Sequence, residues 1–290
     1  MQRKLEVPFV LSVIAATLMA VQSLLGLVLP GQYRDVEWIR TTWFGNDWVT
    51  LVVAVPLLVI ALRLASRGSL RGQLLWLGML GYGAYNYAFY LFGAALNVFF
   101  PLYAILLVLS ATALILTLSR LDIPAVAVGF ATGTPVRLIG GCLAMIGIGL
   151  ACVWLAMWAG YAFAGRPTPI EPEAFKLVAA LDLTVMVPAL TSGGILLWRR
   201  RAWGFVIASV AGVQGALYLL VLSVNSLIMI SRGLAAPPGE LLIWAPLGVV
   251  TAAATALLLA NAHAGPRHPM GDEPAPGMEV HQGSRRRWSR

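Results

Sequence analysis

Residues 72–119 form a run of 48 positions without a single Asp, Glu, Lys or Arg. A soluble domain carries about 25% charged residues, so a run of this kind belongs in hydrocarbon. One helix crosses a bilayer with about 20 apolar residues. The run is too long for one crossing and predicts two. The break falls at residues 97–101, because Pro101 disfavours helix at the position before it.

The same length rule, applied along the chain, gives eight spans at about 7–29, 48–65, 73–96, 99–118, 138–163, 175–198, 203–230 and 241–262. The expected fold class is therefore all-α: a polytopic membrane helix bundle over residues 1–262. Arg3 and Lys4 precede a long apolar run with no small-residue cleavage site, so the first span reads as an uncleaved helix. Residues 31–47 read as an outer loop, with Asn46 and Asp47 capping the second span. Residues 123–136 are apolar but short, and hold Pro124, Gly129, Gly133 and Pro135. They read as an interfacial loop. The stretch 263–290 is rich in Gly, Pro and charge, cannot bury a core, and predicts a disordered basic cytoplasmic tail.

Composition excludes the soluble classes. Hydrophobic residues make up 59% of the chain and charged ones 11%, with a mean hydropathy of +0.82. The net charge of +8 would suggest nucleic acid in a soluble protein. Here it sets orientation. With the N-terminus in the cytoplasm, 15 of the 20 Lys and Arg residues fall on inner segments and five (Arg34, Arg40, Arg166, Lys176 and Arg232) on outer ones. Both termini are expected in the cytoplasm and the protein in the plasma membrane. The expected partners are the bilayer itself, with anionic headgroups at the inner loops and tail, and no nucleic acid. Cys142 and Cys152 lie ten residues apart on one span, about 15 Å along a helix, and cannot bridge.

The second half resembles the first. Asn86, Tyr90 and Asn97 fall on Gln214, Tyr218 and Asn225 at one offset of 128. Asp47 and Pro56 fall near Asp182 and Pro188 at slightly larger offsets, each pair followed by an Arg-rich turn. Two four-helix repeats would share one orientation about an axis along the membrane normal, as in parallel-repeat transporters.

The three histidines (His263, His268 and His281) all sit in the tail, and the only lysines, Lys4 and Lys176, lie at span edges. No cofactor or metal site is expected inside the membrane, and no phosphate-binding, metalloprotease or serine-hydrolase motif is present. What remains is a sparse polar set: Gln22, Asp47, Tyr82, Asn86, Asp182, Gln214 and Tyr218. Tyr82, Asn86, Phe89 and Gly93 share one helix face, as do Gln214, Tyr218, Val221 and Asn225. Asp182 is singled out because a mid-span acid costs about 2.5–3.5 kcal/mol on insertion, and no intramembrane cation is available to pair with it. Each carboxamide alone reads more simply as an interhelical hydrogen bond. Tyr85, Tyr87 and Tyr90 read as packing residues.

Three function classes follow. The preferred one is a small-solute transporter or binder with an outward-facing polar pocket, with Asp182 as a proton-linked group. The alternative is a non-catalytic membrane assembly protein that binds a partner. An intramembrane enzyme ranks third, because it would need Asp47 and Asp182 to converge.

Overall fold

The structure, a computed structural model, describes residues 6–168 and 170–263, and among these it contains helices but no β-strand. The expected tail lies outside the described residues except for His263. The helices are α1 (Glu6–Val28), α2 (Glu37–Ser66), α3 (Leu70–Gly93), α4 (Phe100–Leu118), a short α5 (Ile123–Val128), α6 (Val136–Ala164), α7 (Pro172–Trp198), α8 (Ala202–Ser231) and α9 (Leu241–Ala260). Seven of them are long and apolar enough to cross a membrane: α1, α2, α4, α6, α7, α8 and α9.

Helix α3 coincides with the expected span at 73–96 but is not among those seven. Its composition explains this. It carries Gln73, Tyr82, Tyr85, Asn86, Tyr87 and Tyr90, and sixteen of its 24 residues are buried. A helix wrapped by other helices is solvated by protein and need not be apolar. Helix α8 is its counterpart, with 67% of its most apolar stretch buried against 17% for the peripheral α9. These two helices pack on each other at the centre. Helices α1, α2 and α4 gather around α3, and α6, α7 and α9 around α8. Two apolar clusters result, and both central helices feed both of them: Val213 and Leu217 of α8 enter the first, Leu74 and Tyr85 of α3 the second. Helix α2 reaches across to α8, and α7 to α3.

Helices α2 and α7 each contain one π-helical turn, Thr50–Ala54 and Asp182–Met186. Each turn runs directly into a proline, Pro56 or Pro188. Proline lacks the amide proton and its ring crowds the carbonyl four residues back; one wider turn absorbs both problems without breaking the helix. The helices then end in matching Arg-rich turns with a left-handed residue, Gly68 at φ 78° and Arg200 at φ 52°.

Two boundaries differ from the sequence reading. The second helix begins at Glu37 and not at residue 48, so Asn46 and Asp47 are not caps but lie buried inside it. Segment 37–47 carries charge at its start, which masks it from a hydropathy reading. Yet Thr41, Trp43, Phe44, Asn46 and Asp47 turn inward on one side. The 123–136 segment forms α5 and a turn that folds beneath the bundle. There Phe130 pairs with Ala262, and Arg71 donates to the carbonyl of Ala260, the last residue of α9, and to that of Ala262 just beyond it.

Helices α6 and α7 meet at two glycines. A Cβ on Gly140 would stand 2.5 Å from the Gly194 carbonyl oxygen, and one on Gly194 2.5 Å from that of Gly140. Small residues permit this backbone approach. Gly140→Leu is expected to push the pair apart and remove about 1–3 kcal/mol of stability, read as a lower thermal midpoint of the purified protein in detergent.

Candidate functional site: a cavity and two carboxylate networks

The loops at 29–36, 94–99, 165–168 with 170–171, and 232–240 share one end of the bundle, because successive long helices alternate in direction. A cavity of about 1510 Å³ opens at that end between the two halves. Its walls come from α2, α3, α6, α7, α8 and α9. The C-terminal part of α6 is loosely packed, with Val153, Trp158 and Tyr161 about half exposed, and this leaves the space that the cavity occupies. Drug-sized ligands occupy about 300–1,000 Å³, so the volume suffices for one with a bulky body.

Of the seven candidate residues, Tyr82, Asn86 and Tyr218 line the cavity directly. The Tyr82 hydroxyl shares a hydrogen bond of 2.9 Å with Thr50, the first residue of the α2 π turn. The Asn86 Nδ2 has no partner, and neither does the Nδ2 of Asn46 nor the Oδ1 of Asn225, on the same walls.

Asp182 lies one side chain behind the wall. It is fully buried and accepts three hydrogen bonds, from the Tyr85 hydroxyl at 2.5 Å, the Trp154 Nε1 at 2.9 Å and the Tyr218 hydroxyl at 3.0 Å. All three donors line the cavity. They come from α3, α6 and α8, so the carboxylate ties both halves to the cavity floor. Its position at the start of the α7 π turn is what lets it face three helices at once.

Gln22 and Asp47 belong to a different, closed network. Asp47 accepts from Gln22 Nε2 at 3.1 Å and the Tyr90 hydroxyl at 2.9 Å on one oxygen, and from the Tyr33 hydroxyl at 2.5 Å on the other. Tyr87 donates to Gln22 Oε1 at 3.0 Å. None of these residues touches the cavity. Stacked rings seal the network: Trp43 against Tyr90 at 4.8 Å and Tyr90 against Tyr103 at 4.9 Å. Tyr33 sits in the loop before α2. Burial first, and the Asp47 charge beside it, push its phenol above the ordinary tyrosine range, so it remains a donor. Gly26 is obligatory here, because a Cβ would stand 2.1 Å from an Asp47 oxygen. Gln214 lies off both networks, buried and with its Nε2 unpartnered.

The sequence reading missed Tyr85 and Trp154. Tyr85 is one residue away from the 82/86/89/93 stripe, and Trp154 sits on a helix whose other aromatics, Trp158, Tyr161 and Phe163, are half exposed or more. Only the arrangement in space joins them to Asp182. Among the described residues no three His, Cys, Asp or Glu side chains converge as a metal site needs. Asp47 and Asp182 occupy separate networks, so the paired acids required for the enzyme reading are not brought together. What the arrangement offers is a roomy, largely apolar cavity rich in aromatic side chains, carboxamide residues in its wall, and one carboxylate beneath it held by neutral donors. Comparison with protein-family models, curated proteins and solved structures finds no match to this chain.

Proposed function

We propose that this multi-pass helical protein binds a small solute in the cavity and carries it across the membrane, with the cavity opening to the outer face of the plasma membrane. The observation that carries the reading is the cavity itself, lined by Tyr82, Asn86 and Tyr218 and floored by the donors to Asp182. An assembly protein would be expected to close its helices tightly at both ends, and the open outer end weighs against that reading.

In this proposal α3 is the eighth crossing. Its 24 residues reach about 36 Å, enough for the hydrocarbon core. With eight crossings both termini lie in the cytoplasm, and the basic inner loops face anionic headgroups. The two halves are a duplicated four-helix unit. Support comes from features that recur 132 positions apart: the π turns from Thr50 and Asp182, Pro56 and Pro188, and the left-handed Gly68 and Arg200. Gly72 and Gly204 repeat at the same interval; a Cβ on either would strike the last turn of the preceding helix. The carboxylates repeat in kind. Each half has an Asp on its second helix, a Tyr donor on its third (Tyr90 or Tyr218) and a side-chain N–H donor on its first (Gln22 or Trp154). Asp182, next to the cavity and without a cation among its partners, is the proton-linked group of the pair.

The test is thiol accessibility in a Cys142→Ser/Cys152→Ser background. Cysteine at Val221, on the cavity wall, is expected to react with an impermeant maleimide in intact cells, and cysteine at Leu74, buried on the inner half of α3, to stay unmodified. Reaction at Val221 only in inverted vesicles would reverse the orientation, and no reaction from either side would remove the open cavity.

A further inference from the structure

We propose that the ligand of this cavity is an amphipathic organic cation: an amine or quaternary centre attached to an apolar, aromatic-sized body. The inference rests on the reading of the cavity as a solute site and specifies what that site selects.

The first ground is how charge is divided. The chain as a whole is strongly basic, at +8. Yet the cavity wall carries four carboxylates, Asp35, Glu171, Glu173 and Glu240, and one base, Arg34. Asp182 lies beneath it. The other bases at this end are spent elsewhere or point away. The Arg232 guanidinium sits 4.8 Å over the Phe44 ring and donates to Thr41, and none of Arg40, Arg166 and Lys176 reaches the wall. Low-dielectric walls around an excess of one sign concentrate ions of the other.

The second ground is how these carboxylates are held. Each of four is fixed by an indole N–H: Asp35 by Trp43 at 3.0 Å, Glu171 by Trp38 at 3.3 Å, Glu240 by Trp244 at 2.9 Å and Asp182 by Trp154 at 2.9 Å. All four tryptophans line the cavity; Trp38, Trp154 and Trp244 are partly exposed, whereas Trp43 is buried with its ring stacked on Tyr90. The N–H edge of each ring is thus occupied by an acid while the ring stays on the wall. Tryptophan is the strongest aromatic host for a cation, and the gain is larger out of water. A carboxylate bonded to the ring edge adds to the negative potential beside the face. An anion in the same place would meet four acids with only Arg34 to pair with.

The third ground is the lining between these polar points, which is apolar, with Phe89, Val153, Met157, Phe175 and Leu222 available to the ligand's body.

The probes are tetraphenylphosphonium and tetraphenylborate, which have nearly the same size and shape and opposite charge. Equilibrium dialysis of the purified full-length protein in neutral detergent, with empty micelles subtracted, is expected to give saturable binding of the phosphonium and none of the borate. The Glu171→Gln/Glu240→Gln double variant alters two exposed mouth residues and leaves the bundle intact, which its thermal midpoint reports. It is expected to bind the phosphonium about tenfold more weakly. Saturable borate binding, or phosphonium binding that the double variant leaves unchanged, would overturn the cation proposal while keeping the cavity as a solute site. Binding of neither probe would remove both readings.

Discussion

Asp47→Leu is expected to lower stability by about 3–5 kcal/mol, a large part of the 5–15 kcal/mol that holds a folded domain. The carboxylate is the shared acceptor of Gln22, Tyr33 and Tyr90, and all of them are buried. Removing it leaves the Tyr33 hydroxyl without an acceptor and leaves Gln22 and Tyr90 only their longer bonds to the Tyr33 oxygen (3.3 Å) and the Trp43 carbonyl (3.2 Å), behind the stacked rings of Trp43, Tyr90 and Tyr103. Asp47→Asn is milder. Its oxygen still serves Gln22 and Tyr90, and the Tyr33 hydroxyl can turn to accept from the new amide, so about 1 kcal/mol is lost. Gly26→Ala presses on the same carboxylate from α1 and should fall between the two. The measurement is the unfolding midpoint of each variant in detergent. An Asp47→Leu midpoint within a degree or so of wild type would mean that the network contributes nothing to the fold.

Charge-free length was enough to locate most of the helices. It worked for α1, α3, α4, α6, α7, α8 and α9, of which the peripheral ones must be apolar on the faces they expose. It was least informative where protein replaces lipid. The polarity of α3 marks it as the bundle's centre, a meaning that a hydropathy average discards. The first turns of α2 were hidden for a related reason: Glu37 and Arg40 sit at the aqueous end, while Trp43 and Asp47 two turns later are buried. The candidate site was legible in part. The helical stripes placed Tyr82, Asn86 and Tyr218 on one cavity. Charge counting singled out Asp182 and left Asp47 as a cap; that Asp47 is equally buried follows only from the earlier start of α2. What distinguishes the two networks is the packing around them. Around Asp47 the loop bearing Tyr33 folds in and closes the network, whereas Asp182, itself buried, is bonded by side chains that line the cavity.

That difference sets the expected outcome at Asp182. The donors to its carboxylate, Tyr85, Trp154 and Tyr218, are cavity-lining side chains. If the acceptor is lost, water in the cavity can take its place, so Asp182→Leu should lower stability by only about 1–2 kcal/mol, well short of Asp47→Leu. Asp182→Asn should be smaller still. Its oxygen can keep Trp154 and Tyr218, and its amide can donate to the Tyr85 hydroxyl. Function should respond in the opposite order of severity to stability. Both variants remove the negative charge beneath the cavity, in surroundings where a charge a few ångströms away is poorly screened. Binding of tetraphenylphosphonium should therefore weaken at least tenfold in Asp182→Asn at an almost unchanged thermal midpoint, and any dependence of that binding on pH between 5 and 8 should vanish with it. An Asp47→Asn control should bind as wild type does, because its network never reaches the wall. If Asp182→Asn instead binds the cation with wild-type affinity across that pH range, Asp182 is a structural acceptor joining α3, α6 and α8, and the proton-linked reading is lost.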